Sequence, residues 1–506
     1  MTAAIQPDRP YRVCHLVATT LGARWMYEQL RELRDRHGYE VSAVVNRNEG
    51  PLVDWLKAAG IPFHVWDFGL EGGLRSWSLL RSMFQLVRLL RKERYDVVQT
   101  HVFLSLLAAR PAAWIAGVPV RLAMIAGPFH LEAKASRLVE RLTWWMDTCL
   151  IPTCEKSLRL CSGLGIPDEN LRLIYYSADE NRFRREEVKP AGLRQRFGWP
   201  EDTPVIVLIA YFYPRLSAGD WIPDNLHGAA FKGHDDFIRA AGHVLKEFPK
   251  ARFVLVGGGF AGNSDLLEEM KALTTRLNLD GPVVFTGHTP ETPGVLRDAT
   301  IAVQAALCEN LGGTLEALSM ASPMVVTRVG GMIDVVRDGV TGLVAEPRNP
   351  EDLARKICAM LREPERAVEM GLRGRDLVRE RFSLRRTVDD LNTLYLEQIA
   401  VARSRGGAYS LLRTLARAGF GIPWLALVWT RATFAPGPWR HTFHTLPPRL
   451  YRLPVTAFRK IRLELHLIKA ASERWSYRIW VAFAPMPVRR IARRLRAWTL
   501  ARRSNT

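Results

Sequence analysis

Several familiar signatures are missing from this 506-residue sequence, and each absence narrows what it does. Six cysteines stand at positions 14, 149, 154, 161, 308 and 358, with no C-x-x-C pair among them. That excludes the usual zinc and thiol-redox motifs and reads as reduced thiols in a cytosolic protein, with Cys14 and Cys308 in apolar runs as core residues. No run of 18 apolar residues occurs. The longest, Ala418 to Trp429 between Arg417 and Arg431, has 12, too few to span a bilayer as a helix. The first residues, MTAAIQPDRPYR, hold no apolar h-region, so no secretory signal is expected there. No G-x-G-x-x-G follows the first strand-like segment and no G-x-x-x-x-G-K-[ST] is present, which argues against a dehydrogenase and a P-loop ATPase.

Cations far outnumber acids in one region. From Val401 to Thr506 there are 21 Lys and Arg against two acids, Glu464 and Glu473, so this tail carries +19 of the net +20. The preceding 400 residues are close to neutral. An apolar content of 48% suits folded domains, and the length calls for two or three of them.

The body alternates short apolar runs with amphipathic stretches. Arg12 to Ala18, Glu40 to Val45, Asp96 to Thr100 and Val120 to Ile125 read as strands, and Arg24 to His37 and Ser78 to Arg94 as helices. The pattern restarts with strands at Pro204 to Ala210, Arg252 to Val256, Val283 to Phe285, Ile301 to Ala305 and Met324 to Thr327, and a helix at Asp235 to Phe248. The charged, Pro- and Gly-bearing segment from Asp179 to Pro204 reads as the linker. This predicts an α/β chain of two Rossmann-like domains facing a cleft, with ligands at the carboxyl ends of the strands. Gly257-Gly258-Gly259 after one strand could cradle a phosphate or form a tight turn.

The chemistry concentrates in Ile301 to Val344. A strand ends near Ala305, a loop carries Glu309, Asn310, Leu311, Gly312 and Gly313, and a helix is expected from Thr314 with Glu316 in its first turn. Glycines at a helix start leave backbone N–H groups bare, and those groups together with the helix dipole favour a diphosphate. Glu316 there could accept hydrogen bonds from sugar or ribose hydroxyls. A plain reading, that Glu316 only stabilises the helix end for up to about 1 kcal/mol, competes. A second pair, Gly330-Gly331, after the next strand favours a binding cleft.

The segment resembles the donor-binding signature of family 4 of the retaining, GT-B-fold glycosyltransferases. The resemblance rests on Glu309, Glu316-Ala317-Leu318, Pro323, Val325-Val326, Gly330-Gly331, Asp334-Val335-Val336, Asp338-Gly339 and Thr341-Gly342, and more weakly on Lys232-Gly233-His234. It implies a nucleotide-diphosphate sugar as donor substrate and no metal or other cofactor, in keeping with the absence of an Asp-x-Asp motif. It implies that Glu316 binds the donor ribose, Glu309 the transferred sugar, and Lys232 the diphosphate, with Gly312, Gly313 and Thr314 at the helix start. Gly22 matches the loop approaching the phosphates, and His130 the active-site His near the sugar. His101 is a second candidate with a structural reading. Arg215, ahead of an insertion from Leu216 to Phe231, is an open candidate for the second phosphate ligand. Six residues separate Glu309 from Glu316 where the family has seven, so Glu309 depends on how the loop absorbs the difference.

The expected division is residues 1–190 as the acceptor-side domain, 191–400 as the nucleotide-sugar-binding domain with a return helix, and 401–506 as a basic, amphipathic, membrane-associating extension. In the tail Trp424, Trp429, Trp439, Trp475, Trp480 and Trp498 lie among the cations, and Arg459 to Lys469 and Arg489 to Arg503 have helical spacing with one basic and one apolar face. That composition fits an anionic membrane surface better than nucleic acid. The expected setting is cytoplasmic, on the inner face of the cytoplasmic membrane, with a glycan or lipid-linked acceptor. Rival readings are a nucleotide-sugar 2-epimerase of the same fold and a non-catalytic membrane-bound interaction protein.

Overall fold

A computed structural model describes residues 9–68, 76–179 and 181–404. The basic extension from residue 405, and the membrane reading attached to it, lie outside the described residues.

Six parallel strands form the first sheet: β1 (Arg12–Val17), β2 (Glu40–Val45), β3 (Phe63–Val65), β4 (Val97–His101), β5 (Val120–Ile125) and β6 (Cys149–Pro152). Six more form the second: β7 (Val205–Ile209), β8 (Arg252–Val256), β9 (Val283–Gly287), β10 (Ile301–Gln304), β11 (Met324–Thr327) and β12 (Leu343–Ala345). The orders are β3-β2-β1-β4-β5-β6 and β12-β11-β10-β7-β8-β9, the same topology twice. Each strand returns through a crossover, mostly helical, that covers a sheet face, so central strands such as VIVLI of β7 are apolar on both sides. The sequence reading omitted β3, β6 and β12. Each has three or four residues and lies at a sheet edge; of the strands this short, only the inner β10 and β11 were read from the sequence. Gly257-Gly258-Gly259 continues the path of β8 between its neighbours: the Gly257 amide donates to the Gly287 carbonyl, the Gly258 carbonyl accepts from the Phe212 amide, and a Cβ at Gly257 would lie 1.9 Å from the Ala210 carbonyl oxygen.

The chain crosses between the sheets twice. Phe183, Leu193 and Val188 already pack in the second core, so the first crossing falls ahead of the expected boundary at residue 190. The last helix, Leu384–Ser404, returns to the first domain and buries Val388, Leu391, Leu394 and Tyr395 against Met26, Leu30 and Leu33 of the Arg24–His37 helix. Tyr395 donates to Gln99 Oε1 at 2.6 Å and lies 3.0 Å from His15 Nε2. His101 Nε2 in turn lies 3.1 Å from His15 Nδ1. His101 is therefore part of a buried polar ring that ties the return helix to the first sheet.

The carboxyl ends of the two sheets meet. Asn310 Nδ2, in the loop after β10, donates to Thr153 Oγ1 beyond β6 at 3.0 Å, and the Glu155 amide donates to Asp334 at 2.8 Å.

Candidate active site

The donor-type loop is built by backbone constraints. Helix Gly312–Ser319 starts two residues earlier than expected, which places Glu316 in its second turn rather than its first. Glu316 is thus too far along to act as a helix-end acid. Leu311 occupies the N-cap with no side-chain cap, and the buried Thr314 Oγ1 has no hydrogen-bond partner. An uncapped N-terminus with an unpartnered hydroxyl beside it is suited to an anion bearing hydroxyls. The second glycine pair has a different task. Gly330 has φ +54°, and a Cβ there would lie 1.6 Å from the Glu309 carbonyl oxygen. The Gly331 amide donates to that same oxygen at 3.3 Å. Gly330-Gly331 therefore clamps the backbone of Glu309.

Lys232 arrives by a similar device. Gly233 has φ +72°, and a Cβ there would lie 1.9 Å from the Ala305 carbonyl oxygen just beyond β10. The turn is pressed against the donor loop, and the Lys232 ammonium pairs with the Glu309 carboxylate. The ammonium also lies over the Phe231 and Tyr213 rings, 5.1 and 5.8 Å from their centroids. Burial opposes the charge, but Glu309 and then Tyr213 outweigh it and hold Lys232 above the ordinary lysine pKa. The pair sits in a cavity of about 260 Å³ walled by Gly127 and Phe129 on one side and by Leu216, Phe231 and Cys308 on the other. Two oppositely charged groups given as donor ligands thus neutralise each other here.

Glu316 is half-buried, and burial raises its pKa against the opposing charges of Arg182 and Arg24. Arg24 was not singled out in the sequence, although a signal was present. It is the first residue of the Arg24–His37 helix, where a cation meets the positive end of the dipole. Gly22, with φ +74°, turns the chain into that helix and so delivers Arg24. Arg24 Nε donates to Glu28 at 2.7 Å, and burial, reinforced by Asp179, pushes Glu28 up to about 7.

Two expected site residues are placed elsewhere. His130 lies in the short helix Phe129–Glu132, which turns its ring away from the cavity wall. The ring stacks on Phe103 with centroids 4.9 Å apart, and Nε2 lies 3.9 Å from Glu140. Burial holds His130 down at about 4, against the pull of Glu140, so the ring is neutral. Glu140 belongs to a buried cluster in which Arg110 bonds Glu140 at 2.7 Å and Asp147 at 2.6 Å. Arg215 does not line the cavity either. Its guanidinium is gripped by Glu269 at 2.6 Å and faces Asp235 at 3.5 Å, so its charge is already spent.

The insertion Leu216 to Phe231 is closed at its base by paired backbone bonds between Leu216 and Gly228–Ala229. It reaches the opposite domain. The Ala135 amide donates to Asp220 O at 2.8 Å, Lys134 pairs with Asp224 at 2.7 Å, and the Trp221 ring lies 6.1 Å from Phe103. The insertion is a strap between the two domains, and its end residues Leu216 and Phe231 wall the cavity.

Two parallel, identically ordered Rossmann-like sheets meeting at their carboxyl ends define a GT-B fold. Comparison with known proteins gives the family. The model for "Glycosyl transferase 4-like domain" matches residues 22–177, and that for "Glycosyl transferases group 1" matches residues 225–363. Together they cover more than half of the chain, which belongs to the family 4-type glycosyltransferases and is a glycosyltransferase. It is 27% identical over 320 residues to the D-inositol 3-phosphate glycosyltransferase of Acidothermus cellulolyticus, covering 62% of this chain and 64% of that protein, just under two thirds of its length. It is 23% identical over 386 residues to the UDP-Gal:alpha-D-GlcNAc-diphosphoundecaprenol alpha-1,3-galactosyltransferase of Escherichia coli, covering 73% of this chain and 92% of that one. The crystal structure of Anabaena Alr3699/HepE in complex with UDP and glucose shares the fold, with a TM-score of 0.61, 18% identity, and 78% and 99% of the two chains covered. Among the described residues no helix is long and apolar enough to cross a membrane.

Proposed function

We propose that this glycosyltransferase moves a sugar, with retention, from a nucleotide-diphosphate sugar to a lipid-linked glycan or glycolipid at an anionic membrane surface. The observation that carries the donor half is the Lys232–Glu309 pair in the cavity beside the uncapped helix at Gly312. In this reading Lys232 exchanges the Glu309 carboxylate for the donor diphosphate, and Glu309 turns to the sugar hydroxyls. Glu316 takes the ribose, and the amides of Gly312, Gly313 and Thr314 take phosphate oxygens. As the sugar–phosphate bond breaks, Lys232 and the helix end stabilise the charge growing on the leaving nucleotide, so the reading calls for no metal. Residues 1–190 would serve the acceptor, 191–400 the donor, and 401–506 the membrane.

The UDP named for Anabaena Alr3699/HepE supports a nucleotide-diphosphate donor, and the diphosphoundecaprenol named for the Escherichia coli relative supports a lipid-linked acceptor. Screening nucleotides and nucleotide-sugars by thermal shift tests the donor half. Stabilisation by a nucleoside diphosphate that disappears in Glu316→Ala is expected; no response to any nucleotide overturns the reading. Product analysis with donor alone separates it from epimerisation, which needs no acceptor.

A further inference from the structure

Helix Lys134–Thr143 is built inside out. Its polar residues Ser136, Glu140 and Thr143 are buried, with Glu140 and Thr143 both bonded to Arg110. Its outer side carries Leu138, 41% exposed, and Leu142, 39% exposed, followed by Trp145, 43% exposed, in the turn Trp144–Met146. Spacings of four and three residues align these into one stripe. Arg137 and Arg141 flank the stripe. Both are exposed, and neither guanidinium has a hydrogen bond or ion pair among the described residues. The helix has no acid on this side, since its only one, Glu140, is turned inward.

An apolar stripe facing water costs free energy unless something covers it. The flanking charge says what. We infer that the outer face of Lys134–Thr143 and Trp145 seats on the surface of an anionic lipid bilayer. The leucines and the indole enter the interfacial layer, and the two arginines meet lipid phosphates. The Trp145 ring is preset for this: its Nε1 donates to the Leu142 carbonyl at 2.8 Å, and its edge rests against Trp114 with centroids 5.3 Å apart. The indole therefore enters lipid with its donor already satisfied.

The surface adjoins the cavity. Ser136 Oγ donates to the His130 carbonyl, Phe129 walls the cavity, and Lys134 and Ala135 hold the strap. A lipid-linked acceptor lying in the bilayer would reach Lys232 along residues 129–135. This last step rests on the proposed acceptor class; the seating itself rests on the helix alone.

All six native cysteines are buried, so Leu142→Cys in the full chain gives a single accessible labelling position. With an environment-sensitive nitrobenzoxadiazole label there, and Leu277→Cys as a labelled control, flotation and emission are read on phosphatidylcholine vesicles with and without phosphatidylglycerol. Expected are flotation with the anionic vesicles and a blue shift at position 142 but not at 277. The Arg137→Glu/Arg141→Glu variant should partition roughly tenfold less, since each cation near such a surface counts. Flotation without a blue shift at 142 overturns the inference while leaving the basic tail as the anchor. No flotation overturns both. A blue shift without vesicles, or one that grows with protein concentration, would show the stripe covered by the tail or by a second copy, and also overturns it.

Discussion

Lys232 and Glu309 meet because Gly233 and Gly330 let two backbones come closer than any side chain would allow. The pairing makes the roles separable. Lys232→Ala and Glu316→Ala should each lower turnover at least about a hundredfold, in line with roughly 3–4 kcal/mol for one lost transition-state contact, while far-ultraviolet circular dichroism stays unchanged. Near-normal transfer by either variant would refute the proposed roles. Arg215→Ala should leave nucleotide affinity within about twofold by calorimetry, because Glu269 and Asp235 already hold that charge, and such surface pairs contribute only about 0–1 kcal/mol. Glu28 gives a pH test. Its folded-state pKa is raised to about 7 by burial, so its contribution to stability is present at low pH and lost as pH rises through that value. Glu28→Gln should melt near wild type at pH 5 and gain on wild type by pH 8. A constant offset across that range would show that Glu28 does not titrate there.

At the scale of elements, the strap and the return helix join the two halves. The strap is a C-domain insertion held by N-domain residues, so it responds to both substrates' sides of the cleft. Trp221→Ala with Asp224→Ala should lower kcat/KM for the acceptor several-fold and leave nucleoside diphosphate affinity nearly unchanged. Equal loss in both, by steady-state kinetics and calorimetry, would place the strap in donor binding instead. The return helix explains why a cut at residue 400 is poorly placed: Leu384–Ser404 is continuous, and its buried face completes the first core. Removing Leu391 by Leu391→Ala should cost about 2–5 kcal/mol in denaturant unfolding, as for other buried leucines.

For the whole molecule, charge is divided unevenly along the chain. The first 400 residues are near neutral, and the tail carries nearly all the excess, so flotation on anionic vesicles should fall sharply when the full chain is compared with residues 1–404; equal recovery would remove the tail from membrane binding. Much of the architecture was legible in the sequence. Alternating apolar runs and amphipathic stretches gave the two parallel sheets, and the spacing of Glu316, Gly330 and Asp338 gave the family, because both depend on local pattern. The short inner strands β10 and β11, which flank the donor loop, were legible, whereas the equally short edge strands β3, β6 and β12 were not. Neither was the fate of single side chains. His130 and Arg215 had suitable types in suitable places, but a short helix turns one inward against Phe103 and two acids capture the other. The outward leucines of Lys134–Thr143 were equally hidden, whereas Arg24, a cation at a helix start, carried a signal that the reading passed over. The sequence by itself determined the strand order's raw material, the donor loop and the uneven charge. Tertiary structure alone decided which groups face the cavity, because facing is set by long-range packing between segments far apart in the chain.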